Sequence, residues 1–346
     1  MTARIKNLLI ILIILISLKT SAFSSEKAEY YIEKGKTLYE TAIRAPDIDT
    51  YEESLSYFDK ALEIDPKNVT ALYYKGAIYA LTEKEDESLD YFHRALEIAP
   101  ERGDIWFNMG LACLILNNLP ERKGDLLTEG EYAFERAVKL LPLSQEPLLF
   151  KAIIAYSSEK NKTGREYLER MEELDPGFKK TDLDFTDSLA GLTPLHYISM
   201  LKSDREIVEW FIENGCNINA PDIRGIPPLV YAVSGNATDT AELLITNGAD
   251  VHCYDNHVPL LIYAVENHNT DIAKLLLSKG AYGDVRSFTG QTPLFEAIDK
   301  NDIEMVKLLI KKTEGKNFRD YDSRKNYINI IDKNNITALQ KVLFIQ

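Results

Sequence analysis

Cysteine is scarce. Cys113, Cys216 and Cys253 are the three thiols in 346 residues. They are odd in number, far apart and form no Cys-x-x-Cys pair, so neither a disulfide framework nor a thiolate zinc site is indicated. Basic charge is also short: 40 Lys and Arg stand against 54 Asp and Glu, a formal net charge of −14. Phosphate contacts need clustered Lys and Arg, and no short window here is strongly basic, so a nucleic-acid partner is excluded. Catalytic spacings are missing as well. There is no G-x-x-x-x-G-K phosphate loop, no H-E-x-x-H and no G-x-S-x-G. What remains is a chain with 45% hydrophobic and 27% charged residues, the composition of a soluble globular protein long enough for two or three domains.

The first residues form a separate segment. Arg4 and Lys6 precede LLIILIILISL at 8–18, and Thr20-Ser21-Ala22 follows Lys19. A basic start, a short apolar core and small residues three apart describe a secretory signal peptide over 1–22. Eleven helical residues reach about 16 Å, whereas a bilayer core is about 30 Å thick. An uncleaved N-terminal anchor is the alternative, and it is the sole reading that places the protein on a membrane. No cysteine near the end of the apolar run supports a lipid anchor.

Residues 56–66 read SYFDKALEIDP, and 90–100 read DYFHRALEIAP. One helix is written twice, 34 positions apart. The unit around the second copy places Leu72, Lys75-Gly76, Tyr79, Ser88, Phe92, Ala95 and Pro100 in order. The next has Trp106, Met109-Gly110, Cys113, Phe134, Ala137 and Pro142, and the one before has Gly35, Phe58, Ala61 and Pro66. A last unit carries Leu148, Ala152, Ala155, Leu168, Met171 and Pro176. Small residues let two antiparallel helices approach, and each proline ends the second helix of its pair. The pattern resembles the tetratricopeptide repeat, in four units over about 27–177.

After a connector at 178–187 a second pattern begins. GLTPLHYISM starts at Gly191, GIPPLVYAVS at Gly225, VPLLIYAVEN at Val258 and GQTPLFEAID at Gly290. Thr193 and Thr292 suit helix caps, and Pro194 and Pro293 suit the first helical position. Gly215, Gly248 and Gly280 follow a second helix, where a left-handed residue is wanted. These units resemble ankyrin repeats. Four of them, with a C-terminal half-repeat from INIIDKNNITALQKVLFIQ, fill 188–346 after an insertion near 316–327. No such unit buries its apolar face alone, so neighbours must stack. The expected fold is all-α: two helical-repeat solenoids in tandem, the second with short hairpin-like fingers.

Both resemblances imply binding surfaces rather than chemistry. His252, Cys253, Asp255 and His257 come nearest to a metal set, but in the repeat frame they form a solvated finger. His196, in TPLH, is read as structural and Cys113 as a buried small hydrophobe. Neither cofactor nor metal nor small-molecule substrate is expected. An enzyme would need a site built by 316–327 or by the HCYDNH finger. On the first solenoid the first helices present Tyr73 and Ala77, then Phe107 and Leu111, then Leu149, Ile153 and Tyr156 at helical spacing. That stripe either packs between repeats or lines a groove for a peptide or partner helix. Thr70, Tyr74, Asp104, Asn108 and Lys36 occupy the positions of a carboxylate-gripping groove, but one Lys and one Asn do not make that clamp. On the second solenoid the finger residues Arg224, Arg286 and Phe288 are the candidates.

The function expected is a non-enzymatic scaffold or adaptor, exported to the periplasm or outside, that binds protein or peptide partners. The alternative is a secreted or envelope-associated effector acting on proteins outside the producing cell. Leu339, Val342 and Leu343 are expected to cap the fourth ankyrin unit, leaving Phe344 and Ile345 for weak self-association or partner docking. The leader is expected to be cut after about Ala22. N-terminal sequencing of the mature protein checks this, and an intact Met1 end in a carbonate-resistant membrane pellet would refute it.

Overall fold

The computed structural model describes residues 25–117, 126–174, 183–201, 204–255, 258–287 and 290–312. The leader, the 316–327 insertion and the C-terminal half-repeat lie outside them. The regular elements among the described residues are helices, apart from one pair of two-residue strands. Among the described residues no helix is long and apolar enough to cross a membrane.

The chain divides into two compact units. The first takes residues up to Pro147 together with Ser188–Ala190, and the second takes Leu148–Asp187 and the chain from Gly191. In the first unit six helices form three antiparallel hairpins: α1 (25–44) with α2 (Ile48–Ile64), α3 (Val69–Leu81) with α4 (Glu85–Ile98), and α5 (Gly103–Asn117) with α6 (Leu127–Leu140). Each hairpin is closed by a ring laid on a glycine. A Cβ on Gly35 would come within 2.7 Å of Phe58, one on Gly76 within 2.9 Å of Phe92, and one on Gly110 within 2.6 Å of Phe134. Four residues before the ring, Ser54 Oγ donates to the Gly35 carbonyl at 2.8 Å and Ser88 Oγ to that of Gly76 at 2.9 Å. Three residues after it, Ala61, Ala95 and Ala137 are fully buried. The periodic Gly, Phe and Ala of the sequence are thus one packing device made three times.

The helix ends follow from local chemistry. Asp47 and Asn68 accept from Thr50 N at 3.1 Å and Ala71 N at 3.0 Å, capping α2 and α3. Glu83 turns the α3–α4 corner in the left-handed region at φ 62°, and the next N–H reaches the Tyr79 carbonyl at 2.8 Å. Lys75, buried within α3, keeps its charge through Asp59 and the Tyr91 ring, whose centroid lies 4.6 Å from Nζ. Burial alone would lower its pKa, but Asp59 and Tyr91 outweigh burial and the net shift is upward.

The second unit opens with a fourth hairpin, α7 (Glu146–Ser157) and α8 (Asn161–Leu174); the unit boundary falls within the first turn of α7. Here the seat is reversed: the glycine stands on the second helix, and a Cβ on Gly164 would come within 2.5 Å of the Tyr156 ring. Shorter helices follow in pairs: α9 (Pro194–Met200) with α10 (Arg205–Glu213), α11 (Pro228–Ser234) with α12 (Thr238–Thr246), α13 (Leu260–Glu266) with α14 (Thr270–Ser278), and α15 (Pro293–Asp299) with α16 (Ile303–Lys312). The seven-residue helices form one layer and the longer ones a second. Asn236, His268 and Asn301 take φ 55–56° between the two helices of a pair. The pair entered at Val258, where the other pairs enter at a glycine, still has paired finger strands. Strands β1 (Tyr254–Asp255) and β2 (Val258–Pro259) pair antiparallel, with Asp255 opposite Val258.

Side-chain amides lace the stack. Asn267 Nδ2 donates to the Val233 and Ser234 carbonyls at 2.9 and 3.1 Å, and Asn269 Nδ2 to Asn236 Oδ1 at 2.8 Å. His196 is fully buried: Thr193 N–H donates to Nδ1 at 3.0 Å, which leaves Nε2–H to donate to the Ile226 carbonyl at 2.9 Å.

Two predictions follow from this packing. Gly110→Ala should lose about 1–3 kcal/mol to overpacking against Phe134, despite the better helix propensity of alanine. Adding Phe134→Leu should recover part of the loss, and urea unfolding measures both. The second concerns His196, whose pKa burial lowers from 6.5 to about 4. The unfolded chain therefore binds a proton between those values that the native chain refuses, and stability is full above pH 6.5 and falls as pH drops toward 4. At pH 5 the loss from this group is on the order of 2 kcal/mol. In His196→Gln that component should be gone, so thermal melts between pH 7 and 5 should show a shallower slope than wild type.

Candidate interaction surfaces

The residues singled out by spacing separate in the structure. Tyr73 and Phe107 are half-buried at matching positions of α3 and α5. Each packs on the ring that closes its own hairpin: Tyr73 edge-on to Phe92 at 6.0 Å and Phe107 tilted on Phe134 at 5.6 Å. Ala77 and Leu111, one turn further along, are 0% exposed. Leu149, Ile153 and Tyr156 fall in the second unit and are buried there. The stripe is thus shared between two units, and of its seven members Tyr73 and Phe107 keep accessible surface.

Tyr156 has a structural task. Its hydroxyl donates to Glu206 Oε1 at 3.0 Å, and Arg165 makes a two-pronged pair with the same carboxylate at 2.5 and 2.8 Å. Burial and the bonded carboxylate push the phenol pKa up, while the Arg165 guanidinium draws the Glu206 carboxyl below its usual range. Phe150 packs edge-on against Tyr197 at 5.1 Å, and the Tyr197 hydroxyl donates to Asp187 at 3.1 Å. Helices α7 and α8 are therefore built into the stack of short helices. Between α8 and α10 lies a groove of about 320 Å³ lined by Leu168, Glu169, Glu172, Glu209, Trp210 and Glu213, with the Tyr156, Arg165 and Glu206 cluster also in its wall.

The finger candidates are partly engaged. Arg224 contacts the buried Asp222 carboxylate at 3.2 Å and the Tyr231 hydroxyl, so part of its charge is spent inside the finger. Arg286 is exposed and donates to the Gly290 carbonyl at 3.1 Å. Phe288 lies outside the described residues. His252 lies against the Tyr282 ring at 4.9 Å. Burial raises the thiols of Cys216 and Cys253 to about 12, which keeps both protonated at neutral pH. Among the described residues no three His, Cys, Asp or Glu side chains are disposed to hold a metal.

Three further buried residues of the first unit bond to partners distant in sequence. Tyr39, one turn after Gly35, is 2% exposed, and its ring meets Tyr74 edge-on at 5.2 Å. Its hydroxyl donates to the Leu189 carbonyl. Asn108 on α5 is 5% exposed; it donates to the Asp104 carbonyl at 2.8 Å and accepts from Ser188 Oγ at 3.3 Å. Leu189 itself is fully buried. Spacing singled out neither Tyr39 nor Leu189: the residue four after the glycine is Ala80 and Leu114 in the next two hairpins, and nothing near Leu189 repeats. Of the positions matching a carboxylate clamp, Lys36 is paired with Glu33 at 2.7 Å and Asp104 with Arg102 at 2.5 Å.

Comparison with known proteins agrees with this reading. The model for ankyrin repeats (3 copies) matches residues 153–255 and 252–322, beginning inside α7, and the model for the tetratricopeptide repeat matches 57–90. No curated protein matches the chain. The chain therefore carries tetratricopeptide repeat followed by ankyrin repeats, in that order along the sequence.

Proposed function

We propose that the protein is a non-enzymatic scaffold, exported from the cytoplasm, that gathers protein partners on its two repeat arrays. Tetratricopeptide and ankyrin repeats are protein–protein interaction modules, which supports the scaffold role. Export rests on the leader, with its basic start, apolar residues 8–18 and small residues up to Ala22. The observation that carries the reading is the pairing of Tyr73 and Phe107. Both are half-buried aromatics held by a neighbouring ring at the same place in successive hairpins. Pre-set aromatics lose little conformational freedom on binding and make good anchors. Between Glu26 and Pro176 the chain carries 31 acidic and 19 basic residues, which favours a partner with basic or apolar surface.

The test is the double variant Tyr73→Ala/Phe107→Ala, assayed against a partner recovered from the envelope fraction. Loss of one buried anchor typically costs about 2 kcal/mol, so affinity should fall more than about tenfold while helix content and melting temperature hold. An unfolded double variant would assign both rings to packing. A folded variant with unchanged affinity would move the binding face to the ankyrin fingers, with Arg286 the next residue to change.

A further inference from the structure

Helices α8 and α10, both in the second unit, are held together by one cluster. There the Glu206 carboxylate is spent on the Tyr156 hydroxyl and the Arg165 guanidinium. Past that clamp the two helices leave the groove of about 320 Å³ between them. Leu168, buried on α8, and Trp210, half-buried on α10, give it an apolar lining. Glu169 and Glu172 stand on one wall, and Glu209 and Glu213 on the other. Glu209 shares its charge with Arg205 at 2.7 Å, whereas Glu169, Glu172 and Glu213 form no ion pair among the described residues. Acids on a helix surface are ordinarily just solvated. Here they flank an indole inside a concavity, and an indole face is the aromatic surface that best attracts a cation. Among the described residues no three acidic side chains are disposed to chelate a metal ion. A Lys or Arg side chain meets the geometry instead, with its methylene stem on Leu168 and Trp210 and its charge at the glutamates.

We propose that the groove between α8 and α10 is the docking site for a basic segment of a partner protein, a short stretch whose Lys or Arg lies over Trp210 between the two glutamate walls. The site is separate from Tyr73 and Phe107, which belong to the other unit, and takes from the scaffold reading only that the partner is a protein. Charge complementarity selects the occupant. An acidic segment would be repelled by the unpaired carboxylates, and an apolar one would strip them of water without replacing it. The clamp favours binding as well. Because Arg165 and Glu206 tie the walls together, little has to be ordered when the segment arrives.

The probe is a fluorescently labelled peptide, Ala-Lys-Arg-Leu-Lys-Lys-Ala, titrated into the full chain at physiological salt and followed by anisotropy. Wild type should bind it, and the same peptide with Glu in place of each Lys and Arg should not bind. Glu169→Gln/Glu172→Gln and Glu209→Gln/Glu213→Gln should each weaken binding about fivefold or more. Trp210→Leu, which keeps apolar volume and removes the ring, should weaken it at least about threefold. The glutamate variants change surface groups and carry the test if Trp210→Leu fails to fold. Glu52→Gln/Glu53→Gln removes the same charge from the first unit and should change affinity less than about 1.5-fold, because salt screens distant charges. Equal losses in that control and in the groove variants would reduce the effect to net charge and overturn the proposal. So would no binding by wild type, or full affinity in a folded Trp210→Leu. Displacement of the peptide by an equal concentration of spermidine would assign the groove to a small polyamine and overturn the protein partner. Any of these failures beside a partner that still depends on Tyr73 and Phe107 would leave the scaffold reading standing and remove this site alone.

Discussion

The contact on which the first unit depends is an aromatic ring resting on a glycine. Phe58, Phe92 and Phe134 lie where a Cβ on Gly35, Gly76 or Gly110 would intrude within 2.6–2.9 Å. The missing side chain sets how closely the two helices of a hairpin approach, and the ring fills the space that remains. Once that spacing is fixed three times, the first helices line up and Tyr73 and Phe107 fall at matching places. The fourth hairpin uses the same contact with its members exchanged, Tyr156 on the first helix and Gly164 on the second. The exchange has a consequence: a tyrosine carries a hydroxyl, and that hydroxyl finds Glu206. A hairpin that began as a repeat like the others thereby becomes part of the second unit.

The two units meet the problem of helix ends in the same way. In five hairpins a non-glycine residue adopts the left-handed conformation: Glu83, Glu159, Asn236, His268 and Asn301. In each the following N–H bonds the carbonyl five residues back. Orphan carbonyls are satisfied without lengthening the connection, so each helix returns beside its predecessor. Where they differ is in lateral cohesion. The first unit relies mainly on apolar rings and small residues, with the Lys75–Asp59 pair between successive hairpins. The second uses neutral polar rungs, with Asn267 and Asn269 reaching the preceding pair and His196 bridging to Ile226. Buried polar rungs fix register because a slipped repeat would leave them unpaired. They also make stability depend on pH, since a buried neutral imidazole resists protonation.

Both arrays carry their variable chemistry on faces that packing leaves partly open. The half-buried aromatics of the first unit, the acid-lined groove beside Trp210 and the exposed Arg286 differ from one repeat to the next, whereas the glycine seats and left-handed corners recur. This division suits an interaction protein, because substitutions on the open faces do not disturb the contacts that build the solenoid. His196, Cys216 and the half-buried Cys253 each occur once, and their shifted pKa values report burial rather than reactivity.

Repeat spacing was enough to read the architecture. Glycine, phenylalanine, alanine and proline recurring at fixed offsets mark hairpins, and Thr-Pro-Leu with a later glycine marks the shorter pairs, because these choices answer local demands of close approach, capping and termination. The candidate site was legible in part. Spacing put Tyr73, Ala77, Phe107 and Leu111 on one helical face, yet it could not tell which members of a face stay open. Burial depends on what comes to lie against a residue, and for Leu111 and Ala77 that left no surface. The affiliation of the fourth hairpin was decided by Tyr156, Arg165 and Glu206, whose partnership spans 50 positions and follows no period. The Leu189 carbonyl accepts from Tyr39, 150 positions earlier. Periodic local interactions are written in the sequence, while contacts made once, between distant residues of unrelated pattern, exist only after the chain has folded.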